Sequence, residues 1–153
     1  MQALSEVEAR QFLAAHYLGR VGCFSPALNR SYVVPVSYLY RDGAAYAVSL
    51  EGQKVRFLRE HPQGVCLEVD EVDDEQNWTS IIATGRFEEL HGSDRREMEH
   101  TALYRAATGP LRFALAEADI YRPPEPSVIW ALRIEELSGR RERWDSLEGF
   151  RYW

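Results

Sequence analysis

Apolar residues in this chain fall mostly into short runs or two-residue alternations bounded by turn formers. A helical period surfaces in only three places. The first follows Leu4-Ser5-Glu6-Val7-Glu8, where Ser5 suits an N-cap and Glu8, three residues on, can return the bond; the spacing predicts a helix to about His16. Leu18 to Phe24 then reads as a strand, Ser25 to Arg30 as a turn around Pro26 and Asn29, and Ser31 to Arg41 as a second strand. Asp42-Gly43 is the strongest hairpin signal, because a type I′ turn needs positive φ at both central positions. Ala44 to Leu50 is the returning strand, broken by Glu51-Gly52-Gln53. Val55, Phe57 and Leu58 predict a short helix from Lys54 to His61, ended by Pro62. Gly64 to Val72 and Asn77 to Leu90 are further strands, the latter with a bend or bulge at Gly85. Ser93 is expected to cap a helix to about Ala107, Ile120 to Pro126 is a loop, and Ser127 to Leu137 is a last strand that turns out at Ser138-Gly139.

Six strands joined with little intervening helix, plus two or three helices, predict an antiparallel sheet or barrel rather than a doubly wound parallel sheet. A chain of 153 residues suits one domain over 1–153. It is long enough to bury about 68–70% of its unfolded surface without disulfides or a structural metal. Its 45% hydrophobic and 12% aromatic content excludes wholesale disorder, and no apolar run approaches a membrane span of about 20 residues. A net charge of −6 disfavours a general nucleic-acid binder. The N-terminus lacks an export pattern, so the expected location is cytoplasmic. Cys23 and Cys66 match no metal spacing and read as reduced thiols.

Most candidate chemistry fails on spacing. Six acids between Glu68 and Glu75 lack the glycine of a calcium loop and read as a solvated strand end. Glu97 and His100 have the spacing of a di-iron helix, but only one copy exists; no metal site is expected. His16, His61 and His91 stand apart from any nucleophile signature, and no glycine-rich nucleotide loop is present. Seventeen of the eighteen basic residues are arginine; the single lysine, Lys54, stands where a strand ending in Ser49 turns through glycine into a helix. Free amides at the helix start, the positive end of its dipole, a hydroxyl and an ammonium make a candidate site for one phosphate group.

The ordered set of these signals resembles the FMN-binding split-barrel family, which includes pyridoxamine 5′-phosphate oxidases and nitroimidazole-resistance flavoproteins. The set runs through Val33-Val34-Pro35-Val36-Ser37-Tyr38, the Asp-Gly hairpin, Ser49, Lys54, His61-Pro62, Trp78-Thr79-Ser80 and Thr84-Gly85. The likeness spans about residues 5–140, leaving a tail from about 141 to 153. It implies a mainly β fold, a six-stranded antiparallel split barrel with flanking helices, working as a homodimer with FMN at the subunit boundary. By that likeness Ser49 and Lys54 occupy phosphate-binding positions. Pro35, Val36 and Ser37 lie on the strand whose backbone meets the isoalloxazine edge, and Trp78 and Ser80 reach the flavin from the other protomer. Catalytic residues are not identified: a flavin carries the hydride or electron chemistry itself, and the protein positions a small-molecule substrate. FAD, deazaflavin and haem are alternative cofactors on this barrel, a haem-binding sensor being the alternative function. Val48 stands where the nitroimidazole-resistance branch has a histidine, and Trp144 lacks the arginine- and histidine-containing pattern that follows it in true vitamin B6 oxidases. Both departures argue against those particular substrates.

Overall fold

The structure is a computed structural model that describes residues 1–99 and 127–144. In chain order the elements are β1 (Gln2–Ala3), α1 (Glu6–Ala15), β2 (Leu18–Ser25), β3 (Arg30–Ser37), β4 (Leu39–Arg41), β5 (Ala44–Leu50), α2 (Gln53–Glu60), β6 (Val65–Asp74), β7 (Asn77–Glu89), a helix α3 over residues 92–99, and β8 (Ser127–Glu142). The expected continuation of the third helix to Ala107, the partner His100, the loop at Ile120–Pro126 and the tail beyond 144 lie outside the described residues.

Every strand pairing is antiparallel, in the order β3-β2-β6-β7-β8-β5-β4, with β1 added against β8. The two ends of that path, β3 and β4, are separated in the chain by Tyr38 alone, so the sheet curls round to a seam at this residue. This is the antiparallel barrel that the sequence pattern predicts and the split barrel with flanking helices that the resemblance implies. Local chemistry explains much of it. Asp42 and Gly43 have φ of 50° and 78°, and Arg41 pairs with Ala44 across them, as a primed hairpin turn requires. Ser5 Oγ accepts from the Glu8 amide at 3.3 Å while the Ser5 amide donates to Glu8 Oε2 at 2.8 Å, closing the capping box of α1.

The boundaries need four corrections. First, the expected single strand Ser31–Arg41 is broken at Tyr38: its amide bonds the Tyr17 carbonyl at 2.8 Å and its hydroxyl donates to the Leu13 carbonyl at 2.8 Å. This residue ties the seam to α1. With β1 added, the sheet therefore has eight strands where six were expected. Second, Ser138-Gly139 is no turn: β8 continues to Glu142, pairing Gly139 with Ile81. A Cβ at Gly139 would lie 2.7 Å from Ile81 Cδ1 and 2.9 Å from Leu4 Cδ1, so the glycine serves close packing. Third, α3 begins at residue 92, which leaves Ser93 inside the helix rather than at its cap. Fourth, β6 runs on to Asp74, two residues past its expected end. The irregularity expected at Gly85 is present as a register shift between Thr84 and Gly85.

Alternation places Val21, Leu67, Val69, Ile81, Ala83 and Leu132 inside the barrel, where Leu13 of α1 and Leu58 of α2 close the core. Burying one such leucine contributes about 1.5–3 kcal/mol, so α2 is seated by its Val55, Phe57 and Leu58 face. A second cluster lies on the other side of the β5–β8 ladder, where Ala44, Ile129 and Ala131 pack under Leu90 and Met98. Among the described residues no helix is long and apolar enough to cross a membrane. Cys23 and Cys66 are free thiols.

Candidate functional site

At the end of β5 the inward positions Ala45, Ala47 and Ser49 are all buried. Trp130 of β8, which pairs with Ala47, donates from Nε1 to Ser49 Oγ at 3.0 Å. That bond uses one lone pair and leaves the Ser49 hydroxyl hydrogen with no acceptor among the described residues. The chain then turns at Glu51-Gly52 and enters α2. Gly52 has no side chain to cap the helix, and the first turn contains no acid. Among the described residues the amides of Gln53, Lys54 and Val55 find no acceptor; the first amide to bond is that of Arg56, to the Gly52 carbonyl at 3.0 Å.

Lys54 is half-buried in this turn and forms no ion pair among the described residues. Burial is the main cause that pulls its ammonium below the ordinary lysine value of 10.5, opposed by the neighbouring Cys23 thiol on β2. Burial in turn pushes the Cys23 thiol up, with Lys54 opposing. An incompletely solvated cation without a counter-charge is costly to hold. Combined with an uncapped helix start and an uncommitted hydroxyl, it forms a site chemically suited to an oxyanion such as a phosphate ester.

Several other cations among the described residues already have acidic partners. Arg20 pairs with Asp70 and, at 3.4 Å, with Glu68. Arg133 donates to Glu88 at 3.1 Å and to the Tyr46 hydroxyl at 3.0 Å. Arg59 holds both oxygens of Glu51 and both of Glu89 at 2.8–2.9 Å. Arg56, exposed on α2, forms no ion pair among the described residues and is the nearest substitute for Lys54 along the chain.

The remaining residues singled out in the sequence lie elsewhere. Val36 points into the core, 5% exposed, so its side chain is not presented to a ligand. Pro35 and Ser37 are exposed on the outer face, in register with Arg20 and Leu18 of β2. Ser80 pairs with Asp70 and donates from Oγ to Glu68 Oε1 at 2.9 Å. Half-buried Trp78 lies between Val72 and Glu142 at the far end of the same ladder. Ser49 and Lys54 thus share one junction, whereas Pro35, Ser37 and Ser80 share the outer face of β3-β2-β6-β7, and no hydrogen bond or ion pair joins the two groups among the described residues. Val48 packs against the Ala44–Ile129 cluster. In the acidic run, Glu68 and Asp70 pair with Arg20 and residues 71–75 are exposed. No grouping of three metal-ligand side chains exists among the described residues. Sequence reasoning missed Trp130 and the Arg59 cluster; the alternation of SVIWALRIEEL already set Trp130 on the inward face with Val128 and Leu132.

Known proteins share this fold. A solved FAD-binding protein from Mesorhizobium loti is 30% identical, with a TM-score of 0.77 covering 94% of this chain and 97% of its own. The FAD binding protein from Mycobacterium smegmatis is 19% identical with a TM-score of 0.67, covering 94% and 100%, a likeness of fold alone. An uncharacterized protein of Rhizobium meliloti strain 1021 is 31% identical over 90 residues, 59% of this chain and 58% of the relative, so less than two thirds of that relative's length is spanned. The family model for pyridoxamine 5′-phosphate oxidase matches residues 5–141, from the cap of α1 to the end of β8. With nearly the whole described barrel inside that match, the chain belongs to the pyridoxamine 5′-phosphate oxidase family.

Proposed function

We propose that the protein binds a flavin nucleotide by its phosphate at the β5–α2 junction and acts as a homodimeric oxidoreductase on a small molecule. The observation that carries this reading is Lys54: a half-buried ammonium with no carboxylate partner among the described residues, at the same β5–α2 junction as three helix amides and a Ser49 proton that likewise find no acceptor among them. A flavin phosphate supplies what these groups lack. FMN is the smallest nucleotide that does so. The 30% identity to a FAD-binding protein supports FAD as the second reading, since its phosphates offer the same group to the same donors.

When bound, the isoalloxazine supplies the hydride or electron-pair transfer. The chain's own residues bind and orient. Lys54 and the α2 amides fix the phosphate end, Ser49 donates one further bond, and Trp130 holds Ser49 in place. The backbone of Pro35, Val36 and Ser37 offers an extended edge for the planar ring, and Ser80, whose proton is given to Glu68, offers that ring an acceptor. A second copy of the chain supports bringing the outer-face group to the phosphate site. Leu18, Val33, Val72 and Ile82 are 39–66% exposed across that face, a stretch of apolar surface suited to self-association. The two free thiols support a reducing, cytoplasmic setting.

The test is direct. Protein purified without added cofactor is expected to be yellow and, after acid release, to yield one flavin per chain, identified as FMN or FAD by chromatography. Titration of stripped protein with FMN, FAD, riboflavin and haem compares the readings. Colourless protein that binds none of the flavins overturns the proposal, and a haem complex with a Soret band in place of flavin uptake replaces it with the sensing alternative.

A further inference from the structure

The phosphate-binding reading leaves one problem at the β5–α2 turn. Glu51 directly precedes the helix cap and lies three residues from Lys54. A carboxylate beside an uncapped helix start is drawn to the free amides and the positive dipole end, and to any ammonium within reach. Unrestrained, Glu51 would compete for the same donors as a ligand phosphate. It is instead turned away. Arg59, a turn and a half further along α2, reaches back to take both Glu51 oxygens at 2.9 Å through Nη1 and Nη2. The same guanidinium is fixed on its other side by Glu89 of β7, at 2.9 Å to Nε and 2.8 Å to Nη2, so it cannot follow Glu51 toward the site.

From this geometry we infer that Arg59 is a positioning residue that holds the phosphate site open by keeping the Glu51 carboxylate out of it. The inference rests on the phosphate reading above. The cluster is otherwise an unremarkable surface network: the Arg59, Glu51 and Glu89 side chains are 39%, 43% and 23% exposed, a range in which ion pairs add little to stability. Its specific consequence is electrostatic. Both Glu51 oxygens are engaged by the shared guanidinium, and the Glu89 carboxyl is held below the usual range chiefly by its bonds to Arg59. Lys54 then remains a half-buried charge at the start of α2 with no ion pair among the described residues.

The experiment measures dissociation constants of stripped full-length protein for FMN and for riboflavin, which lacks the phosphate, by quenching of flavin fluorescence. Arg59→Ala is expected to weaken FMN binding about three- to tenfold, the effect of one freed carboxylate in a partly solvated site. Riboflavin binding should stay unchanged, and Glu51→Gln in the Arg59→Ala background should restore FMN affinity to within about twofold. Loss for both ligands alike, or no rescue by Glu51→Gln, would make Arg59 merely structural and overturn the inference. An unchanged FMN constant in Arg59→Ala, with weakened binding in Lys54→Ala, overturns the inference and spares the phosphate reading. An unchanged constant in Lys54→Ala removes both. If Arg59→Ala does not fold, Arg59→Lys keeps the charge without the two-pronged hold and is expected to show the same pattern at smaller amplitude.

Discussion

The two ends of α2 solve opposite problems with the same kind of residue. At the N-terminal end Lys54 is half-buried and without a carboxylate among the described residues; at the C-terminal end Arg59 is more open to water yet bonded to four carboxylate oxygens. Burial draws the lysine's pKa down, whereas the bonds to Glu89 and Glu51 hold the arginine's above its ordinary value. A cation with all its partners inside the fold has no need of a ligand. One that is partly dried out without a partner marks where a ligand charge belongs. Arg20 and Arg133 fall on the satisfied side of this division; exposed Arg56 has no ion pair among the described residues either, but it is not half-buried as Lys54 is, so the proposed phosphate contact centres on Lys54.

The harshest way to break the contrast is to unseat the helix. Leu58 is fully buried, and Leu58→Ala is expected to cost about 2–5 kcal/mol in urea unfolding, with flavin binding lost alongside. A loss below about 1 kcal/mol would mean that α2 is seated by something else. Next in size, Lys54→Ala should weaken FMN about ten- to hundredfold, the worth of a charged hydrogen bond of roughly 1.5–3 kcal/mol. The melting temperature of the ligand-free protein should hold or rise slightly, because an unpaired half-buried charge has been removed. A marked fall in melting temperature would show that Lys54 is structural.

The third prediction concerns pH. Because burial lowers the Lys54 pKa, its ammonium disfavours the ligand-free fold below that pKa, and the cost is relieved as pH rises through it toward 10.5. Phosphate affinity has the opposite dependence: present while the ammonium is charged, it falls as pH climbs through the lowered value. FMN titrations across the alkaline range should therefore lose affinity earlier than an ordinary lysine would allow, and Lys54→Ala should abolish that limb. A limb that persists in the variant would assign it to another group. The smallest effect is expected at the satisfied end. Arg59→Ala should lower unliganded stability by only about 0.2–1 kcal/mol per ion pair, and the difference should shrink in high salt.

Much of this was legible from local signals. The Ser5–Glu8 box, the Asp42-Gly43 turn, the bulge at Gly85 and the strand-to-helix turn at Lys54 each rest on neighbouring residues whose chemistry acts over a few positions. What was missed depends on distant partners. Nothing in the run Ser31–Arg41 announces a break, because Tyr38 is set by the carbonyls of Leu13 and Tyr17. Ser138-Gly139 has a turn's composition but a strand's conformation, since the glycine makes room for Leu4 and Ile81. In the site, Lys54 stood out as the one lysine of the chain, but that it has no counter-charge among the described residues became visible only once Arg59 had been seen to take both Glu51 and Glu89. Val36, placed by resemblance on the flavin strand, has its side chain in the core because alternation along β3 turns it inward.

The claim that an unbalanced lysine marks a flavin-phosphate site is tested most directly by one comparison: FMN and riboflavin titrated into stripped wild-type protein and Lys54→Ala. The expected result is a ten- to hundredfold weaker FMN constant in the variant, with riboflavin unchanged. Equal FMN constants in the two proteins would contradict the account.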